Sequence, residues 1–68
     1  MLVRVNGDAR ELAAGTTVAG VVASLAGIPD GRGVAVALDG EVVPRGRWDQ
    51  TELADGAQIE VVVAVQGG

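Results

Sequence analysis

Sixty-eight residues with nine acidic and five basic side chains give a net charge of −4 and a pI near 4.4, a field that repels a phosphate backbone and sets nucleic-acid binding aside. The chain has no cysteine and no histidine, so it lacks a disulfide framework and the commonest general base and metal ligand. These absences argue against intrinsic catalysis, a bound cofactor or a metal centre, and they point to a reducing compartment, the cytoplasm.

All the basic residues are arginines, so no lysine amine is present to accept an isopeptide bond. A chain this short forms one domain over residues 1–68, burying only about 60% of the surface its unfolded form exposes. Its first residues, MLVRVNGDAR, show no basic segment followed by an apolar run. No stretch approaches the roughly 18 apolar residues of a membrane span, so no membrane partner is expected.

Val3 and Val5 alternate with Arg4 and Asn6, the period of a strand, and Asn6-Gly7-Asp8 is turn chemistry leading into a returning strand at Ala9 to Leu12. Gly15-Thr16-Thr17 then offers a threonine cap, and Val18, Val21, Val22 and Leu25 fall at i, i+3, i+4 and i+7. That spacing predicts an amphipathic helix, stopped by Gly27 as C-terminal cap and by Pro29. Gly20 inside it costs roughly 1 kcal/mol relative to alanine, so the helix depends on packing.

Val34, Val36 and Leu38 alternate with alanines, and Asp39-Gly40 before Glu41-Val42-Val43 is a hairpin signal. Pro44 to Gln50 reads as a loop or very short strand. Asp55-Gly56 is a further turn, needing no other role, and Ala57 reads as a surface turn position. Gln58 to Val65 follows as the last strand, with Ile59, Val61, Val63 and Val65 on one face and Glu60, Val62 and Ala64 on the other. The order predicts an α+β domain in which one helix covers one face of a sheet. Residues 64–68, AVQGG, are expected to form a flexible tail, because glycine loses most freedom on ordering. Trp48, the lone aromatic, is expected to anchor its loop on the core rather than to bind a ligand.

Several stretches together resemble one family: Val5-Asn6-Gly7, Gly15-Thr16-Thr17-Val18, Gly40-Glu41-Val42-Val43-Pro44-Arg45 with Trp48, Leu53-Ala54-Asp55-Gly56, and Gly67-Gly68. Their order and spacing resemble the ubiquitin-like sulfur carrier proteins, closest to the carriers of thiamine thiazole synthesis. The resemblance implies a β-grasp fold, a mixed sheet of four to five strands with the last strand beside the first, and one helix on one face. It also implies a carrier and protein cosubstrate rather than an enzyme. A carboxylate at Gly68 is ionised at neutral pH and a poor electrophile, so it must be activated. In the resembled family an adenylating partner enzyme does this with ATP, and a sulfur donor such as a cysteine desulfurase displaces AMP to leave a thiocarboxylate for thiazole synthase.

On that reading Gly68 is the modified residue and Gly67 and Gln66 thread the tail into a partner channel, with Val62, Ala64 and Arg45 as a candidate partner surface. Gln66 stands where thiamine carriers often have glycine or alanine. Two alternatives stay open. The small subunit of molybdopterin synthase is a carrier of the same kind, although its approach to the glycines usually contains proline, where this chain has Val63-Ala64-Val65-Gln66. The other is a β-grasp interaction module with an inert tail.

Overall fold

The computed structural model describes residues 1–25 and 33–63. Strands β1 (Leu2–Val5) and β2 (Asp8–Glu11) form an antiparallel hairpin in which Val5 faces Asp8 and Leu2 faces Glu11. The turn between them is Asn6-Gly7, with φ of 51° and 87°. Both angles are positive, as the type I′ turn requires, and that turn's twist matches the strands it joins. The same device recurs at Asp39-Gly40, φ 49° and 87°, between β3 (Val34–Leu38) and β4 (Glu41–Val42).

Helix α1 (Val18–Ser24) starts where the threonines predict: the Thr17 hydroxyl oxygen accepts from the Gly20 N–H at 3.2 Å. Two backbone bonds tie this start to the chain past residue 50: Val18 N–H donates to Thr51 O and Leu53 N–H to Thr16 O, each at 2.9 Å. The helix ends one residue before Leu25, which is already extended (φ −82°, ψ 128°) and half-buried against the core. Its expected place in a fully buried helical row is therefore corrected. The expected cap at Gly27 and stop at Pro29 lie outside the described residues.

Gly20 is exposed, and a Cβ there would meet only Thr16 Cγ2 at 3.4 Å and Thr17 Oγ1 at 3.7 Å, ordinary van der Waals contacts. Its N–H bond to the cap does not involve a side chain of its own. Gly20→Ala should therefore stabilise the domain by about 0.5–1 kcal/mol, raising the thermal midpoint by several degrees. A midpoint that falls would show that the helix start has no room for the methyl group.

Strand β5 (Gln58–Val63) completes the sheet in the order β2-β1-β5-β3-β4. It runs parallel to β1, with Val5 beside Ile59, and antiparallel to β3 from Leu38 beside Ile59 to Val34 beside Val63. The last strand is thus central and next to the first, with the helix on one face: the expected α+β, β-grasp plan with five strands. The inner face contributes Val3, Val5, Val36, Ile59 and Val61, and α1 covers them with Val18, Val21 and Val22, all at most 7% exposed. No polar or charged side chain is buried among the described residues. No helix among them is long and apolar enough to cross a membrane.

Two local expectations change. Arg45–Gln50, expected within a loop or very short strand, is a 3-10 helix. Arg47 N–H donates to Pro44 O at 2.8 Å, and the Trp48 indole N–H donates to Val43 O at 2.9 Å while its ring is 6% exposed. Burying that ring with its polar edge satisfied curls the segment instead of extending it. Trp48 anchors its loop on the core, as expected. Ala57 is 5% exposed and belongs to the core rather than to a surface turn. It begins the inward row 57, 59, 61, and the preceding turn, closed by Ala57 N–H to Ala54 O at 3.0 Å, aims it inward.

Candidate functional site

Strand β5 alternates in burial as far as Val62: Gln58, Glu60 and Val62 are exposed while Ile59 and Val61 are buried. The central position of the strand explains this, because one face meets α1 and the other has no covering layer among the described residues. Val62 is 60% exposed and lies opposite Ala35 of β3. Ala37 lies opposite Glu60 on one side and Val42 on the other, and Val42 is 77% exposed. The uncovered face therefore carries an apolar strip of Val62, Ala35, Ala37 and Val42, beside the charged end of Glu60 and Arg4.

Sequence reasoning named Val62 but missed its companions. The signal was available, since Ala35 and Ala37 alternate with Val34, Val36 and Leu38, and the Asp39-Gly40 turn fixes the register that places Val42 beside Ala37. Val63, expected on the inner face with Ile59 and Val61, is 46% exposed at the end of the strand.

Arg45 stands at the start of the 3-10 helix, which packs against α1, so it and Val62 stand on different elements. Its side chain is exposed, and its guanidinium carbon is 6.0 Å from the centre of the Trp48 ring, within cation–π range. Ala64, Gln66, Gly67 and Gly68 lie outside the described residues. From Val63 to Gly68 the chain has five residues to run, a reach of at most about 18 Å when fully extended.

The turn acids do more than their turn role required. Asp39 Oδ1 accepts the Gln58 N–H at 2.9 Å, and Asp55 Oδ1 accepts the Leu2 N–H at 2.6 Å. Each carboxylate thus ties a turn to the start of a neighbouring strand. The site the structure presents is accordingly a central strand, paired on both edges, with an apolar strip on its open side.

Comparison with known proteins gives this arrangement its kinship. The model of the ThiS family matches residues 3–68, from β1 through the final glycine pair. The chain belongs to the ThiS family. Across its full length it is similar to the crystal structure of the thiamine biosynthesis protein ThiS from Geobacter metallireducens, at 30% identity and a TM-score of 0.81, with 100% of each chain covered. It is also 36% identical over 64 residues to a thiazole synthase of Paramagnetospirillum magneticum. That match takes in 94% of this chain and only 19% of the synthase. The ThiS family is the one the sequence motifs resemble, and the β-grasp fold of its solved member is the fold found here.

Proposed function

We propose that this ThiS-family chain is a sulfur carrier of thiamine thiazole synthesis, a protein cosubstrate and not an enzyme. The observation that supports it best is the extent of the family match, which runs through Gly67 and Gly68. The Gly68 carboxylate attacks the α-phosphate of ATP on an adenylating partner, releasing pyrophosphate and forming an acyl-adenylate. The persulfide of a sulfur donor such as a cysteine desulfurase then displaces AMP to form an acyl disulfide, and a thiol reductant cleaves its S–S bond, leaving a thiocarboxylate on Gly68 and a disulfide in the oxidised thiol. Glycine suits both final positions because it lets the chain pass through a narrow channel. The carrier itself binds no cofactor, ATP being used by its partner, and it works in the cytoplasm.

Thiazole synthase is the acceptor on this reading. A protein of that name contains a stretch similar to nearly all of this chain, and the solved relative is a thiamine biosynthesis protein. Both favour the thiamine branch over the molybdopterin branch. Intact-mass measurement tests the proposal: incubated with ATP, the activating enzyme and a sulfur donor, the chain gains the mass difference of sulfur replacing one oxygen. A chain whose mass stays unchanged under conditions that convert a known carrier is an interaction module with an inert tail.

The apolar strip on the open face of the sheet serves as the docking surface for the activating enzyme, with Val62 at its β5 end and Arg45 as an outlying contact, and the sequence pattern adds Ala64 to it. An exposed valine contributes little to folding, so Val62→Asp should change stability by less than about 0.5 kcal/mol. Desolvating the new carboxylate in the complex should raise the dissociation constant at least about fivefold. Unchanged affinity in a titration calorimeter, with unchanged circular dichroism, would remove Val62 from the interface.

A further inference from the structure

Strand β5 is held on both edges, but unequally. On one edge β3 pairs with it through to Val63. On the other edge β1 pairs only at Gln58 and Ile59 before the chain turns away at Asn6-Gly7, and the last backbone bond there is Asn6 N–H to Ile59 O at 2.9 Å. The next groups due for pairing on that edge are the N–H and C=O of Val61, which a continuing β1 would have bonded. The Asn6 side chain takes both: Val61 N–H donates to Oδ1 at 2.7 Å and Nδ2–H donates to Val61 O at 3.2 Å. One carboxamide thus stands in for one residue of strand. Asn6 does this from φ 51°, a left-handed conformation that asparagine tolerates, with its side chain reaching forward along β5 to Val61.

We propose that Asn6 is a positioning residue for the chemistry at Gly68. Among the described residues, its grip on Val61 is the last point at which β5 is held from both sides, seven residues before Gly68; without it that point retreats to Ile59, nine residues away. The inference rests on the carrier reading. Its physical basis is that a misplacement of about 1 Å at a reacting atom can cost on the order of a hundredfold in rate.

Asp39 supplies a matched control. It too occupies the first position of a type I′ turn, at φ 49°, and bonds β5 through Gln58 N–H to Oδ1 at 2.9 Å and its own N–H to Gln58 O at 2.8 Å. It acts at the start of the strand, away from the tail. Glycine accepts the positive φ of either site without strain, so Asn6→Gly and Asp39→Gly remove a side-chain clasp and leave each turn its conformation.

The experiment uses the full chain, its two glycine variants and Asn6→Asp, which keeps the acceptor for Val61 N–H and loses the donor. Amide hydrogen exchange is read at Val61, and ATP–pyrophosphate exchange by the activating enzyme is resolved into kcat and KM for the carrier. Losing the clasp should speed Val61 exchange about tenfold in Asn6→Gly, the loss expected of a hydrogen-bonded pair. With it, kcat should fall about tenfold while KM for the carrier stays within about twofold, because placement is lost and docking kept. Asn6→Asp should fall between the two, and Asp39→Gly should keep the kcat of the intact chain.

Three results overturn the proposal: Val61 exchange unchanged in Asn6→Gly, kcat unchanged although that exchange has risen, or an equal fall in kcat for Asp39→Gly, which would reduce Asn6 to a general stabiliser. Should Asn6→Gly fail to fold, Asn6→Asp decides by the same criteria. If the intact chain supports no pyrophosphate exchange at all, the carrier reading falls and takes the positioning role with it, and Val61 exchange still reports the clasp by itself.

Discussion

Removal of Gly68 abolishes activation of the chain if the carrier proposal holds. The shortened chain ends in Gly67, a glycine carboxylate of the same chemical kind, so only its position changes. Each extended residue adds at most about 3.3–3.6 Å, and the deletion withdraws the reacting oxygen by that distance. Attack requires reacting atoms roughly 3–3.5 Å apart, so a shift of this size leaves the carboxylate out of range of the α-phosphate. Sliding the whole domain forward would restore the reach only by breaking its docking contacts.

The measurement is ATP–pyrophosphate exchange at matched concentrations of the intact and shortened chains, with an expected loss of at least about a hundredfold. One alanine added after Gly68 should fail too, because it carries the carboxylate past its place and puts a methyl group in the channel. Exchange by the shortened chain at a rate close to the intact one would mean that the glycine pair is slack, and the carrier proposal would lose its main chemical support.

The second large effect falls on stability. Ile59 is 1% exposed, and β1 and β3 flank it at the centre of the inner face. Truncation to alanine removes three heavy atoms from this buried site, which costs about 2–5 kcal/mol. The total available to a 68-residue domain is roughly 3–10 kcal/mol at 0.05–0.15 kcal/mol per residue. Ile59→Ala should therefore lower the thermal midpoint by about 10 °C or more and leave a substantial unfolded fraction at 37 °C. Val62→Ala, at a position facing the open side, should move it by less than about 3 °C. Equal shifts for the two variants would show that the face assignment of β5 is wrong.

Local chemistry fixed the elements that depend on neighbours in sequence. The Asn6-Gly7 and Asp39-Gly40 pairs dictate type I′ hairpins because few other residues accept consecutive positive φ angles, so β1-β2 and β3-β4 are legible in the residues alone. Thr17 and the valine spacing of 18, 21 and 22 gave the start and buried face of α1 for a similar reason: cap and periodicity both lie within one short window. The motif order gave the family, and with it the expectation that the last strand lies beside the first.

Tertiary packing decided the rest, because the deciding partners are distant in the chain. Ala57 is a core residue only because β5 enters between β1 and β3, and the 3-10 helix exists because the Trp48 ring finds a buried place and its indole N–H finds Val43 O. Leu25 turns extended where the helix stops, which a continuing i, i+3, i+4, i+7 pattern does not announce. The Asn6 clasp on Val61 spans 55 residues, and nothing around either residue foretells it. A turn residue's backbone angle is a local matter, whereas the groups its side chain bonds are set by which strand the fold lays alongside it.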